Sequence, residues 1–588
     1  MNSNLSEWDD DLPPEPEESY QDLLRALKRK SGFGLFFVQC TPVEADNLIV
    51  KLPKEIPQKK IAVLRLVEAI DNLYERVAEF IKDKQIDILL IKGLEYSLYK
   101  YEQRTFGEIT EGQFSNLTNV PHILNHLNQQ RERFRDDFPI SFVFLLRSFS
   151  INYFIHRAPD FFDWRSGVFE LPTTPEIVDE ESSRLLDQAV YEEYLKLSHE
   201  KKIEKLLEIK DMLTEKFQTA SRKPSLLCEL GKLLISANEN EIAIASYDEA
   251  LTIQPDYYQA WYNRGIALGN LGRYEAAIAS YEKALKIQPD FHEAWNNRGN
   301  LLGNLERYEA AIASYEEALK IQHNLHILWN NRGIALEKLG RDEDAIASYE
   351  EALKIQPNYH LPWYGKGYIL EKLGRDEAAL ACYEKTIIIQ PDYHLAWYKQ
   401  GNILLNLGHY EAAIACYDQV LEIKPDDYLA WYNRGIVFDN LGHYEAAIAC
   451  YDQVLKIKAD DYFAWYFKGY ALENLEDYEA AIASYDQALK FKPDDHQAWC
   501  NRGIALRNLG SFEQAIASYD QALKFKPDDH QAWYNKACCY ASQNNVELAV
   551  ENLQQAININ SDKYREMAKT DSDFDSIRED ERFQALFQ

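Results

Sequence analysis

Six asparagines share one register of this chain: Asn263, Asn297, Asn331, Asn433, Asn501 and Asn535 are separated by 34 residues or whole multiples of it. Immediately before that slot stand Tyr262, Tyr364, Tyr398, Tyr432, Tyr466 and Tyr534. An asparagine amide offers two donors and an acceptor, so a row at fixed spacing has the chemistry to bind the backbone of an extended peptide with little regard to its sequence. The tyrosines add stacking faces and hydroxyls. Gly365, Lys399 and Phe467 interrupt the row. A plainer reading stands beside this one: Tyr485–Trp499 recurs letter for letter at Tyr519–Trp533, so the row also fits helix-surface residues multiplied by duplication.

The same period writes the scaffold. Trp261, Trp295, Trp329, Trp363, Trp397, Trp431, Trp465, Trp499 and Trp533 are 34 apart, with Leu227 in the slot of a first copy. Glycine follows four residues later from Gly231 to Gly503, with Ala537 in the last copy. Within a copy, Trp261, Gly265 and Leu268 fall on one face of a first helix, and Ala277, Tyr281 and Ala284 on one face of a second. Asn270, Leu271 and Gly272 make the turn, and Pro289 with Asp290 ends the second helix and offers the next one a cap. Repetition at this period implies stacked helix pairs, each contacting its neighbours.

This pattern resembles the tetratricopeptide repeat over residues 224–563, with departures at Leu227, at His323 and Ala459 in the proline slot, and at Thr386, Val420 and Val454 in the late alanine slot. The resemblance implies a right-handed all-α superhelix of about ten helix-turn-helix repeats with a concave groove lined by first helices, and a protein or peptide ligand in it. Members that clamp a chaperone's C-terminal carboxylate use lysine in the slot that is tyrosine here, so that specificity is not expected. Arg264, Arg298, Arg332, Lys366, Arg434, Lys468, Arg502 and Lys536 form another row, read as aliphatic stems over the aromatic seam with heads toward acidic neighbours.

The N-terminal third reads differently. Apolar runs at Leu35–Cys40, Ile61–Leu66, Ile86–Ile91 and Ile140–Leu146 alternate with helical patterns, which implies an α/β domain with a mainly parallel sheet over residues 19–172. The Gly93-Leu94-Glu95 end of the third run and the stretch from His156 to Arg165 resemble a bacterial P-loop (STAND-type) nucleotide-hydrolase module. Its phosphate-binding loop needs glycines, a lysine and a Ser/Thr after the first strand, where this chain has Thr41 to Asn47 with Glu44 and Asp46. The resemblance therefore implies a degenerate module surviving as scaffold or sensor; a plain α/β domain of unrelated ancestry is the alternative. Glu95 reads as a solvated strand end, Arg147, Arg157 and Arg165 as surface partners of local acids, and Asp160 and Asp163 as parts of a packed turn.

Residues 1–18 are acidic and proline-rich and read as a disordered tail. Residues 173–223 read as connecting helices with Leu185, Leu186, Val190, Tyr194, Ile203, Leu206, Leu207, Leu213 and Phe217 on helical spacing. Residues 564–588, with Phe574, Ile577, Phe583, Leu586 and Phe587, read as a cap over the last repeat.

The whole is thus expected to be α+α/β, an N-terminal α/β domain followed by the repeat array. A net charge of −31 over 588 residues disfavours nucleic acid and anionic membranes. Cys382, Cys416 and Cys450 occupy a slot that is serine elsewhere and read as packed thiols of a reduced, cytoplasmic protein. Neither the pair Cys538–Cys539 nor Cys500 has metal-ligand spacing, and no nucleophile elbow or zinc-protease motif occurs, so no catalysis, metal or cofactor is expected. The leading expectation is a non-catalytic interaction scaffold; a nucleotide-responsive switch using the array as sensor is the alternative, with an RNA-binding repeat protein behind it.

Overall fold

The computed structural model describes residues 16–66, 70–95, 97, 122–147, 150–151, 154–155, 158–171, 174–187, 191–215 and 218–587. The expected tail lies almost wholly outside them, as do His156, Arg157, Val190 and Phe217. The chain divides into two compact units, residues up to 323 and residues from 324 onward.

The first unit opens with α1 (Pro16–Arg29), β1 (Gly34–Gln39), α2 (Pro42–Glu55), β2 (Ile61–Arg65), α3 (Leu73–Ile81), β3 (Ile88–Lys92), α4 (His122–Asp137), β4 (Ser141–Leu146), α5 (Pro159–Phe162) and β5 (Gly167–Glu170). All strands run parallel in the order β2-β3-β4-β1-β5. Side chains alternate between two buried faces, as a sheet covered on both sides requires. Phe36, Val38, Leu90 and Val143 meet α1 and α2, while Leu35, Phe37, Ile91 and Phe144 meet α3, α4 and α5. The fifth strand was not foreseen from sequence. It is an edge of four residues, every second one exposed, too short to stand out as an apolar run.

Three helices follow: α6 (Pro175–Asp187), α7 (Tyr191–Lys196) and α8 (His199–Thr214). Leu185, Tyr194, Leu206 and Ile209 bury into one core with Leu226, Leu230 and Leu234 of the first helix pair, so these helices cover the face that would otherwise open the array.

Ten helix pairs succeed one another from Lys223 to Ile559, three in the first unit and seven in the second. In the first nine pairs the second-helix tyrosine ring packs against the first-helix glycine. A Cβ on Gly265 would meet the Tyr281 ring at 2.5 Å. The missing side chain thus seats a ring. In the tenth pair the aromatic slot holds Leu553, and there Ala537 takes the glycine's place. Trp261 donates its indole N–H to Pro255 O at 3.0 Å, and Trp465 keeps the same bond to Ala459, which stands where other copies have proline.

Capping also differs from expectation, because the helix after Asp290 is capped one residue later. Asp427, Asp461, Asp495 and Asp529 accept backbone N–H groups of their first helices. In earlier copies that position is Tyr257, Phe291, Leu325, Tyr359 or Tyr393, with no side-chain cap. Phe291 packs on Tyr262 instead, with centroids 4.6 Å apart. After the tenth pair, Tyr564, Phe574, Ile577 and Phe583 close the apolar end.

Candidate functional site

Two places merit building from their residues: the carboxyl ends of the strands, and the open face of the first helices.

From β1 the chain crosses on one face to β2, then returns on the other through β3 and β4 and passes to β5 beyond β1. Neighbouring β1 and β4 thus send their connections opposite ways, which makes the crevice at their carboxyl ends the place where open α/β sheets take ligands. Here α2 begins, and a helix N-terminus attracts anions. That N-terminus is already served. Thr41 Oγ1 accepts the Glu44 N–H at 3.3 Å, and Glu44 Oε2 accepts the Thr41 N–H at 2.8 Å. Burial pushes the Glu44 carboxyl upward while these bonds to Thr41 pull it down. Lys92, at the end of β3, reaches Asp46 at 2.8 Å, and Arg65 reaches it at 3.3 Å.

The single residues there correct the sequence reading. Glu95 is not a solvated strand end: it is partly buried, burial raises its carboxyl, and Arg147 opposes that rise. Arg147 is not a surface residue either. Only 12% of its side chain is exposed, and it pairs at 2.9 Å with Glu208 of α8, itself 14% exposed. Burial would raise Glu208, yet Arg147, Lys205 and Arg184 hold it below the ordinary carboxylate range. Asp160 pairs with Arg131 at 2.7 Å and Asp163 with Arg165 at 3.5 Å, leaving no acid/base couple between them.

On the first helices the asparagine slot is turned inward. Asn297 donates to Tyr262 Oη at 3.1 Å, Asn433 to Tyr398 Oη at 3.1 Å, and Asn501 to Tyr466 Oη at 3.0 Å. Asparagine and the preceding copy's tyrosine therefore form tie bars between successive first helices. Burial pushes the Tyr262 hydroxyl up to about 12, so it stays a protonated phenol at neutral pH. Asn263, 9% exposed, donates to Cys228 Sγ at 3.6 Å, and Asn535, 7% exposed, accepts from Arg507 at 3.2 Å. As groove-lining residues these two are corrected: their amides are enclosed between neighbouring helices. Asn331, Tyr364 and Tyr432 are half-buried.

The basic row staples pairs together. Arg264 donates to Asp248 of the preceding second helix at 2.7 Å and to Ser280 of its own second helix at 2.8 Å, with its guanidinium 5.8 Å from the Trp261 centroid. Arg298, Arg434 and Arg502 repeat the arrangement, with Cys450 Sγ as the acceptor for Arg434.

Two further rows escaped the sequence reading. Two residues before the tryptophan, Ile327, Leu395, Leu429 and Phe463 are exposed, with Leu361 half-buried in the same slot. Eight residues after it, Glu337, Glu371, Asp439 and Glu473 accept the hydroxyls of Tyr349, Tyr383, Tyr451 and Tyr485 at 3.1, 2.6, 2.5 and 2.9 Å. The signal was the same 34-residue spacing, which is apolar or acidic only in part of the array. These rows share the helix face of the tyrosine slot, since positions three, seven and ten residues on fall on one side.

As for metal, Cys538 Sγ lies within 4.8 Å of oxygens of Asp571 and Asp573. Burial raises that thiol well above its ordinary value, Asp571 takes the Tyr534 hydroxyl at 2.7 Å, and Asp573 faces Arg507 at 3.5 Å. The donors are thus engaged and the thiol is protonated, a poor set for a cation.

A succession of helix pairs, nine of them seated ring-on-glycine, defines a helical-repeat solenoid. Family models of the tetratricopeptide repeat match residues 258–291, 292–325 and 326–359, then 400–464 and 468–532, with others at 231–272, 362–393, 382–415, 436–496 and 530–563. The chain belongs to the tetratricopeptide-repeat family. Among solved structures it is similar to YrrB, described as a TPR protein with an unusual peptide-binding site (26% identity over 31% of this chain and 93% of that one, TM-score 0.29). It is also similar to MamA from Desulfovibrio magneticus RS-1 (20% identity, 29% and 97%, TM-score 0.28) and to pilF of Pseudomonas aeruginosa (18% identity, 35% and 94%, TM-score 0.32). No curated protein matches the chain. Among the described residues, no helix is long and apolar enough to cross a membrane.

Proposed function

We propose that the array is a non-catalytic scaffold that takes a protein or peptide segment on the open face of its first helices. Tetratricopeptide repeats are interaction scaffolds in general. The observation that carries the particular reading is the exposed row of Ile327, Leu395, Leu429 and Phe463 beside the tyrosine slot of the first helices; exposed apolar residues recur at the same spacing at second-helix ends, as at Ile457, Phe491 and Phe525, and the test below separates the two. The half-buried asparagines Asn297, Asn433 and Asn501 and the tyrosines Tyr364, Tyr398, Tyr432 and Tyr466 underlie that face, their remaining polar atoms offered to a bound backbone, with Asn331 in the same slot. Eight buried free cysteines fit a reducing, cytoplasmic setting.

The N-terminal domain serves in this reading as a second scaffold. An all-parallel sheet with its switch point between β1 and β4 suits a degenerate nucleotide-hydrolase module, and Glu44 supplies from within the anion that such a loop would bind from outside. A nucleotide-controlled switch is thereby disfavoured.

The test is recovery of partners by the full chain and by variants. Leu429→Ser with Phe463→Ser should abolish recovery of a specific partner, while Phe525→Ser, an exposed residue at the end of a second helix, should leave it intact. Equal loss in both, or in neither, would remove the first-helix face from the reading.

A further inference from the structure

The acidic row on the first helices is neutralised unevenly. Glu371 has a cation: Lys399, standing in the asparagine slot 28 residues on, places Nζ 3.1 Å from its carboxylate and 5.0 Å from the centroid of Tyr368. Glu337 feels Lys338 and Lys372, and Glu473 feels Arg507. Asp439 differs. Among the described residues its side chain has one polar partner, the Tyr451 hydroxyl on Oδ2, and the enclosed Oδ1 has no donor. The residue 28 positions on is Phe467, whose ring sits 5.9 Å from Tyr432 and 6.2 Å from Tyr451. Phe463, 56% exposed, lies 6.5 Å from Tyr432 on the outer side.

An unpaired carboxylate among aromatic faces is a receptor for a cation, because ring quadrupoles and the anion attract it together. Lys399 shows inside the same molecule what such an occupant looks like: an ammonium against the carboxylate, its stem along the helix face and a tyrosine ring beneath. We propose that the first-helix face of the second unit takes a peptide segment carrying a lysine or arginine that seats against Asp439, with its apolar side chains laid on Leu429 and Phe463. The assignment rests on the scaffold reading above and specifies its ligand. Asp439 is half-buried with its unpaired Oδ1 enclosed, so seating an ammonium requires the carboxylate to turn about its Cβ–Cγ bond, a broad torsion, and to share the Tyr451 hydroxyl's oxygen. Burial lifts this carboxyl to about 6, so an approaching cation meets a group whose ionised form lacks stabilisation.

Fluorescence anisotropy of the full chain with three labelled synthetic peptides of equal length tests it: one of leucine and lysine, one of leucine and glutamate, one of serine and lysine, at physiological salt. The leucine–lysine peptide should bind, and Asp439→Asn, which keeps an acceptor for Tyr451, should weaken it about tenfold. Phe463→Ser should weaken it comparably while circular dichroism stays unchanged. Equal binding of the serine–lysine peptide, or no effect of Asp439→Asn, would overturn the assignment. Binding of the leucine–glutamate peptide, lost in Phe463→Ser, would overturn the cation while leaving the face as a peptide site. Self-association of the chain lost in Phe463→Ser would give the face to a second copy, and failure of every peptide would overturn the assignment while leaving the scaffold reading to the partner-recovery test above.

Discussion

Tyr281 lies so close to Gly265 that a single added methyl would stand 2.5 Å from its ring, and the relation recurs from Gly231–Tyr247 to Gly503–Tyr519. Gly265→Ala must push the ring or split the pair, at a cost of about 1–3 kcal/mol that exceeds the gain in helix propensity. Gly303, also helical, has no atom within 4 Å of the added carbon, so Gly303→Ala should stabilise by about 0.5–1 kcal/mol. Hydrogen exchange of the affected pair in the full chain resolves both; equal shifts of one sign would show that ring seating does not govern the glycine.

The Arg147–Glu208 pair joins the end of β4 to α8 inside the protein. Arg147→Met should destabilise by about 3–5 kcal/mol, because Glu208 is left charged and enclosed, and adding Glu208→Met should restore most of the loss. Since Glu208 is held below its ordinary value, its contribution is present above the normal carboxylate range and is lost as pH falls through the depressed value. Urea unfolding followed near Trp164 at neutral and acid pH reads both effects.

Glu44 and Asp46 predict the outcome of nucleotide addition. ATP with magnesium should leave the melting temperature of the full chain unchanged, since the α2 N-terminus is capped by its own carboxylate and Lys92 is engaged with Asp46. A concentration-dependent rise would restore the nucleotide-switch reading.

Asp439 contributes to pH dependence with the opposite sign to Glu208. Its folded value, about 6, lies above its ordinary one, so the native state binds the extra proton and gains stability as pH falls through 6. The ionised form carries an uncompensated cost above that. Asp439→Asn should therefore melt higher than the parent at pH well above 6, with the difference shrinking toward acid; a difference independent of pH would refute the titration.

What the residues disclosed follows from range. Tryptophan, glycine and alanine slots speak within a helix pair, and the strands of the sheet announce themselves as apolar runs, so both were legible. Asn297 and Tyr262 are also in the sequence, but that they bond each other depends on how two copies stack. The same is true of Arg147 and Glu208, 61 residues apart and joined only once α8 is brought beside the end of β4. Counting repeats named the asparagine row; only packing revealed that amides such as that of Asn297 bond their neighbours and that Leu429 and Phe463 are exposed.

The bonds of Arg264, one back to Asp248 and one within its own pair to Ser280, recur at Arg298, Arg434 and Arg502 and give those repeats one half of a joint at each end. Any unit built this way fits beside any other. Replication slippage that adds or removes whole units leaves the seams intact, which is how a tract like Tyr485–Trp499 could be inherited twice without repair, and how the array's length becomes a trait free to drift.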